Sequence, residues 1–202
     1  NGIYRSDDGA QTWSQKNKGL PDEAHVVKLA AHHDVVLAIT RQDDLWSLHA
    51  SSDGGDDWQF VGGKGEPPFE NVYDVYITSH DDDYQVYVGA EKGLYRSTGS
   101  TELFSKWEQV AQLAPVFDIA SAQNNKQHLY LATFDKYSNK GALISWQPEQ
   151  KPQQVAEYSF TPSALTVDPD PNTEEVAYLL SNSGEVFAVT HNGQLCSLGR
   201  RP

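Results

Sequence analysis

Two aspartates hold the pattern that could do acid–base chemistry. Asp74 and Asp118 stand at matching places in apolar runs, Val72-Tyr73-Asp74-Val75 and Val116-Phe117-Asp118-Ile119. Two carboxylates facing one cavity can share general-acid and general-base work. The competing reading is that such carboxylates bond to backbone and line a water-filled channel. Metal-ligand spacing is weaker. His32-His33-Asp34 is contiguous, so its side chains diverge in an extended turn. The run from His80 to Asp83 is an acidic turn that could attract calcium. Asp168-Pro169-Asp170-Pro171-Asn172 begins like a calcium loop, but Thr173 takes the place of its glycine and Leu179 that of its closing glutamate. All three read more simply as solvated turns, and no metal or cofactor is expected. Cys196 is the only cysteine, which excludes an intrachain disulfide and a thiolate cage. No nucleophile–base spacing, phosphate loop or helix-borne histidine pair is present.

The elements that would position these residues are short strands. Val26–Ala31 and Val35–Thr40 are apolar runs joined by a polar turn, followed by the alternating run Leu45–Ala50 and then Trp58–Val61. Each apolar run is bounded by Asp, Gly, Asn or Pro, which are turn residues. The four-strand pattern recurs. Ser6, Ser51, Ser97, Ser145 and Thr190 are separated by 45, 46, 48 and 45 residues. Lys28, Asp74, Asp118 and Ala164 mark the first strands at intervals of 46, 44 and 46 residues. A repeat of about 45 residues with four strands per unit leaves no room for long helices.

The turn before the fourth strand carries its own signature. Ser51-Ser52-Asp53-Gly54-Gly55-Asp56-Asp57-Trp58 and Ser6-Asp7-Asp8-Gly9-Ala10-Gln11-Thr12-Trp13 share Ser, Asp, Gly and Trp at the same offsets. This resembles the Asp-box (BNR) repeat of β-propellers, which occurs in sialidases, xyloglucan-cleaving enzymes, sortilin-type receptors and photosystem assembly factors. The motif decays later: Gly99 stands in the Asp place and Trp107 comes three residues late, while Thr190-His191-Asn192-Gly193 mimics Ser-x-Asp-Gly. The resemblance implies an all-β propeller of four-stranded antiparallel blades. The blades fall at about 24–62, 71–112, 115–158 and 162–199, with a partial blade at 1–18. It also implies that Ser6, Asp8, Gly9, Trp13, Ser51, Asp53, Gly54 and Trp58 are structural. They would cap turns at the outer blade edge, with the tryptophans packed in the core.

Function stays open, because the repeat serves enzymes and binding proteins alike. Sialidase chemistry requires three arginines gripping a carboxylate. Of the five arginines only Arg41 lies in a connection that could face a channel, and the Arg-Ile-Pro-type first-strand motif is absent. A xyloglucanase-like inverting pair would use Asp74 and Asp118. The favoured expectation is a non-enzymatic binding or scaffold propeller with a protein or carbohydrate ligand, and a glycoside-hydrolase propeller or inactive fragment is the rival. Phe69, Phe134 and Tyr137 lie in the longest connections and form the expected contact surface.

There are 28 acidic and 15 basic side chains among 202 residues, giving a net charge of −13. That field disfavours nucleic acid and anionic membranes, and no apolar run reaches the roughly 20 residues that span a bilayer. The chain lacks methionine, which favours a processed or excised part of a larger propeller. An oligomer that covers open blade edges would be the alternative. The compartment is open, with a secreted or periplasmic location favoured.

Overall fold

The computed structural model describes residues 2–23, 25–63, 68–80, 83–98, 106–122, 125–168, 170 and 175–200. The expected decayed turn at 99–105 and most of the acidic turns at 81–82 and 171–174 lie outside them. Among the described residues there are strands and turns only. The chain is all-β, with four four-stranded antiparallel sheets and one two-stranded sheet, in the manner of propeller blades.

The two-stranded sheet is β1 (Tyr4–Arg5) and β2 (Ser14–Gln15). The first full sheet is β3 (His25–His32), β4 (Val35–Gln42), β5 (Leu45–Ser51) and β6 (Gln59–Gly63). The second is β7 (Val72–His80), β8 (Asp83–Ala90), β9 (Gly93–Thr98) and β10 (Glu108–Gln112). The third is β11 (Val116–Ala122), β12 (Asn125–Asp135), β13 (Lys140–Trp146) and β14 (Gln153–Tyr158). The fourth is β15 (Pro162–Val167), β16 (Glu175–Ser181), β17 (Glu185–Thr190) and β18 (Leu195–Arg200). Strands pair in chain order within every sheet.

Burial follows from composition. The second strands, such as Val35-Val36-Leu37-Ala38-Ile39-Thr40, are packed on both faces, so they are near-continuous apolar runs. Tight turns join them to their neighbours. The β3–β4 turn places His33 at φ 51° and the β4–β5 turn places Asp43 at φ 55°, the left-handed geometry that matches strand twist.

One irregularity recurs. The pairing of first with second strands shifts register between Val26 and Lys28, between Val116 and Asp118, and between Pro162 and Ala164. Each shift leaves one extra residue, a β-bulge, at the same repeat position. The bulge comes directly before the marker residues Lys28, Asp118 and Ala164.

The chain divides into two compact units. The first is Asn1–Val88 with Arg96–Glu108, and the second is Gly89–Tyr95 with Gln109–Pro202. In the first, Ile3, Ala38 and Trp58 form a buried cluster joined by Leu20, Val26 and Val36. In the second, Phe134, Leu143, Tyr158, Leu165, Leu179 and Val189 belong to one larger apolar cluster.

Candidate functional site

First strands hold the two candidate carboxylates, Asp74 on β7 and Asp118 on the bulged β11, and both are engaged. Asp74 is completely buried and ion-paired with Lys28, its counterpart on β3. Its Oδ1 also accepts the Val75 N–H at 2.6 Å. Asp118 Oδ1 accepts the Ile119 N–H at 2.9 Å, and Oδ2 accepts the Leu165 N–H on β15 at 2.7 Å. Each carboxylate thus caps its own strand and reaches the equivalent place on the first strand of a neighbouring blade. The residue type suits that role, because a carboxylate is an acceptor with room for several N–H or N⁺–H donors. These contacts tie β3 to β7 and β11 to β15.

The Ser–Asp turns are closed by their own side chains. Ser51 donates its hydroxyl to Asp53 Oδ1 at 2.6 Å and accepts the Gly55 N–H at 2.8 Å, while Asp53 Oδ1 accepts the Asp57 N–H at 3.0 Å. In the first copy Ser6 donates to Asp8 Oδ1 at 2.8 Å and accepts the Ala10 N–H at 2.8 Å. Asp8 then accepts the Gln11 and Thr12 N–H groups and the Thr12 hydroxyl, the last at 2.6 Å. Gly9 at φ 71° and Gly54 at φ 72° give the left-handed step that wraps the backbone around the carboxylate. Thr190 and Asn192 repeat the arrangement, with Asn192 Oδ1 accepting the Gln194 N–H at 3.3 Å and Gly193 at φ 79°. The tryptophans diverge. Trp58 is 4% exposed and donates Nε1–H to the Lys16 carbonyl at 2.9 Å, whereas Trp13 is 60% exposed. The expectation that Trp13 packs in the core is corrected accordingly.

The donors around Asp8 hold its carboxyl down to about 2, led by the Thr12 hydroxyl and backbone N–H. Asp53 is likewise lowered, first by the Ser51 hydroxyl. The folded value of Asp8 lies below its ordinary 3.8, so its contribution to the turn is full above that value and fades as pH falls through about 2. The Asp8 carboxyl carbon should therefore titrate by NMR with a midpoint near 2. The stability difference between wild type and Asp8→Asn should shrink over the same window. A midpoint at 3.8 would mean that the turn does not grip the carboxylate.

Of the three aromatics expected at a contact surface, the structure leaves one outside. Phe69 is 2% exposed and meets the Trp107 ring edge-on at 5.1 Å. Phe134 is 6% exposed and lies in the core cluster of its unit, because β12 runs on to Asp135 and carries it inside. Tyr137 is 88% exposed at the tip of the β12–β13 hairpin. The hairpin is fixed at its base. Asp135 accepts the Tyr137 N–H at 3.0 Å and the Ser138 hydroxyl at 2.6 Å, and the Ser138 bond leads in holding the Asp135 carboxyl below its ordinary value. Lys136 Nζ stands 5.1 Å from the Tyr137 ring centroid.

Beside this hairpin lies an open cavity of about 590 Å³, lined by Asp135, Asn139, Lys140, Gln154, Glu157 and Tyr158 among others. Tyr158 forms part of its wall. Its hydroxyl donates to the Thr133 carbonyl at 2.8 Å, and burial pushes its phenol well above the ordinary range. The cavity offers carboxylate, amide and ammonium groups next to an exposed aromatic ring, which suits a hydrogen-bonding ligand. The sequence pointed to the hairpin by its length. Gln154 and Glu157 were missed, since only the pairing of β14 with β13 brings them beside it.

Arg41 lies within β4 with its guanidinium 5.9 Å from the Trp46 ring centroid, so it belongs to a strand rather than a connection. Among the described residues no cluster of three or more His, Cys, Asp or Glu is placed to hold a metal ion.

No protein-family model matches the sequence, and no curated protein matches it. Solved structures do. An ancestral GH74 enzyme matches with a TM-score of 0.65 at 20% identity, over 96% of this chain and 29% of its own. An oligogalacturonate lyase in complex with manganese matches with a TM-score of 0.62 at 11% identity, over 98% of this chain and 59% of its own. A nidogen/laminin complex structure matches with a TM-score of 0.61 at 10% identity, over 86% of this chain and 64% of its own. At these identities the likeness is one of fold, that of a β-propeller. The chain spans less than two thirds of each of the three.

Proposed function

We propose that the protein is a non-enzymatic binding propeller whose outer turns are Asp-box repeats. Its ligand, a carbohydrate or a protein, engages the β12–β13 hairpin and the cavity beside it. The observation that carries this reading is the use made of Asp74 and Asp118. Both carboxylates are occupied in joining first strands, Asp74 to Lys28 and Asp118 to the Leu165 N–H. A general acid or base must instead reach a substrate proton. The exposed Tyr137 ring and the polar groups set in a largely apolar cavity wall supply stacking and directional hydrogen bonds without a catalytic pair. The match to an oligogalacturonate lyase and a GH74 enzyme keeps polysaccharides among the ligands to test, and the match to a nidogen/laminin complex does the same for proteins.

The test is a panel of xyloglucan and oligogalacturonate, scored for binding by calorimetry and for cleavage by reducing-end release, with a protein-array screen alongside. Binding without cleavage is expected, weakened about tenfold by Tyr137→Ala as for an interface anchor. Cleavage abolished by Asp74→Asn or Asp118→Asn in a folded protein would replace this reading with the hydrolase one.

A further inference from the structure

The wall of the cavity beside the β12–β13 hairpin is held in place by packing beyond it. Tyr158 stacks on Phe160 with ring centroids 4.6 Å apart, and Phe160 stacks on Phe187 of β17 at 4.5 Å. Gly141 leaves room for the Tyr158 ring, since a Cβ at that position would collide with it. The hairpin tip is set as well. Asn139 takes φ 54°, and Lys136 stands over one side of the Tyr137 ring. A wall and a ring fixed in advance spare a ligand much of the ordering cost of binding.

The groups on that wall mix donors with acceptors. Asn139 and Gln154 bring amides, Lys140 an ammonium, and Asp135 and Glu157 carboxylates. Asp135 accepts the Tyr137 N–H and the Ser138 hydroxyl, and Glu157 accepts the Gln154 amide at 3.0 Å. A carboxylate has about four acceptor sites, so both retain capacity. A sugar hydroxyl donates one hydrogen bond and accepts others, which matches such a mixed set. The C–H face of a sugar ring matches Tyr137 and the apolar part of the wall.

Charge then decides between sugars. Two carboxylates line the cavity against the single ammonium of Lys140, in a chain of net charge −13. Lys136 adds a second ammonium only at the tip, over the Tyr137 ring. A uronate or a sulfate would set its own negative charge beside Asp135 and Glu157. A protein partner fits less well. The residues around Tyr137 at the tip, Lys136, Ser138, Asn139 and Lys140, are polar and exposed, without the apolar centre of a protein interface.

We propose that the ligand at this site is an uncharged polysaccharide. A sugar face stacks on Tyr137, hydroxyls bond to Glu157, Gln154 and Lys140, and Glu157 turns acidic glycans away. This rests on the hairpin being the binding surface.

The experiment titrates two matched pairs into the protein by calorimetry. One is oligogalacturonate and its methyl ester. The other is a xyloglucan oligosaccharide and the same oligosaccharide oxidised to uronate at its primary hydroxyls. In a pair that binds, the uncharged member should bind about tenfold tighter at low salt, and the gap should narrow at about 1 M salt, where charges are screened. Glu157→Gln, an exposed substitution of like size, should bring the two members within about threefold of each other. A charged member that binds as tightly as its uncharged partner would overturn the proposal. So would a gap that Glu157→Gln leaves in place, a failure of both uncharged members to bind, or binding of an arrayed protein while no sugar binds. Tyr137→Ala separates this proposal from the reading it rests on. Binding that it weakens about tenfold keeps the hairpin as the site even where the charged member is preferred. Binding that it leaves unchanged overturns both.

Discussion

Replacing Lys28 by Met should lower the free energy of unfolding by about 3–5 kcal/mol, the cost typical of removing one partner from a buried ion pair. Asp74 is wholly inside the protein, while the Lys28 side chain is 38% exposed. The two sides of the pair are therefore unequal. Lys28 can carry its ammonium toward water if its partner is removed, because its stem is long and its head near the surface. The carboxylate has no such route. Without the lysine it must stay charged in a poor solvent or take up a proton, and either costs free energy. Asp74→Asn alone should consequently cost less than Lys28→Met. The double variant Lys28→Met/Asp74→Asn should recover much of the loss, because the buried charge is gone. Urea unfolding of the four proteins gives the coupling directly. A loss below about 1 kcal/mol for Lys28→Met would show that the pair behaves as a surface ion pair.

The second large effect separates two tryptophans that the sequence presents as equivalent. Trp58→Ala should destabilise by about 3–5 kcal/mol, through the cavity left by a buried indole. It also removes the Nε1–H that the Lys16 carbonyl accepts. Trp13→Ala should change stability by no more than about 0.5 kcal/mol, the scale of ordinary surface substitutions. Trp58 packs with Ile3 and Ala38 and anchors the N-terminal two-stranded sheet, whereas Trp13 lies at 60% exposure. Comparable losses for both would mean that Trp13 is covered in solution.

The residues explain how far the sequence could be read. The Ser51–Asp53 and Ser6–Asp8 turns were legible because every donor and acceptor in them lies within a few residues, so spacing alone encodes the geometry. The strands were legible from their apolar runs, and the blades from the repeat length. The bulges were not. An extra residue at Val27, Phe117 or Ser163 leaves the local pattern apolar or small and appears only when two strands are paired. That pairing decides whether Asp118 looks into a cavity or reaches the Leu165 N–H. Phe69 misled for a related reason: long connections are usually exposed, but this one folds its ring over Gly62, where an added Cβ would meet Phe69 at 2.5 Å. The glycine and the phenylalanine are one packing unit split between a strand and a loop.

The pairing of strands in strict chain order governs how the protein can fold. Most strand partners are joined by a turn of two to four residues, such as Asp43-Asp44, Glu91-Lys92 and the stretch from Lys136 to Asn139. Closing such short loops costs little chain entropy compared with the distant pairings of a sandwich. Each sheet can therefore zip up from its own turns without waiting for any other, and the Ser–Asp turns supply ready-made starting points. Local contacts of this kind put folding on the fast side for an all-β chain. The slow events left over are the contacts between blades, Lys28 with Asp74 and Asp118 with Leu165. These cannot form until two separately built sheets meet, so the first strands are expected to lock late in folding.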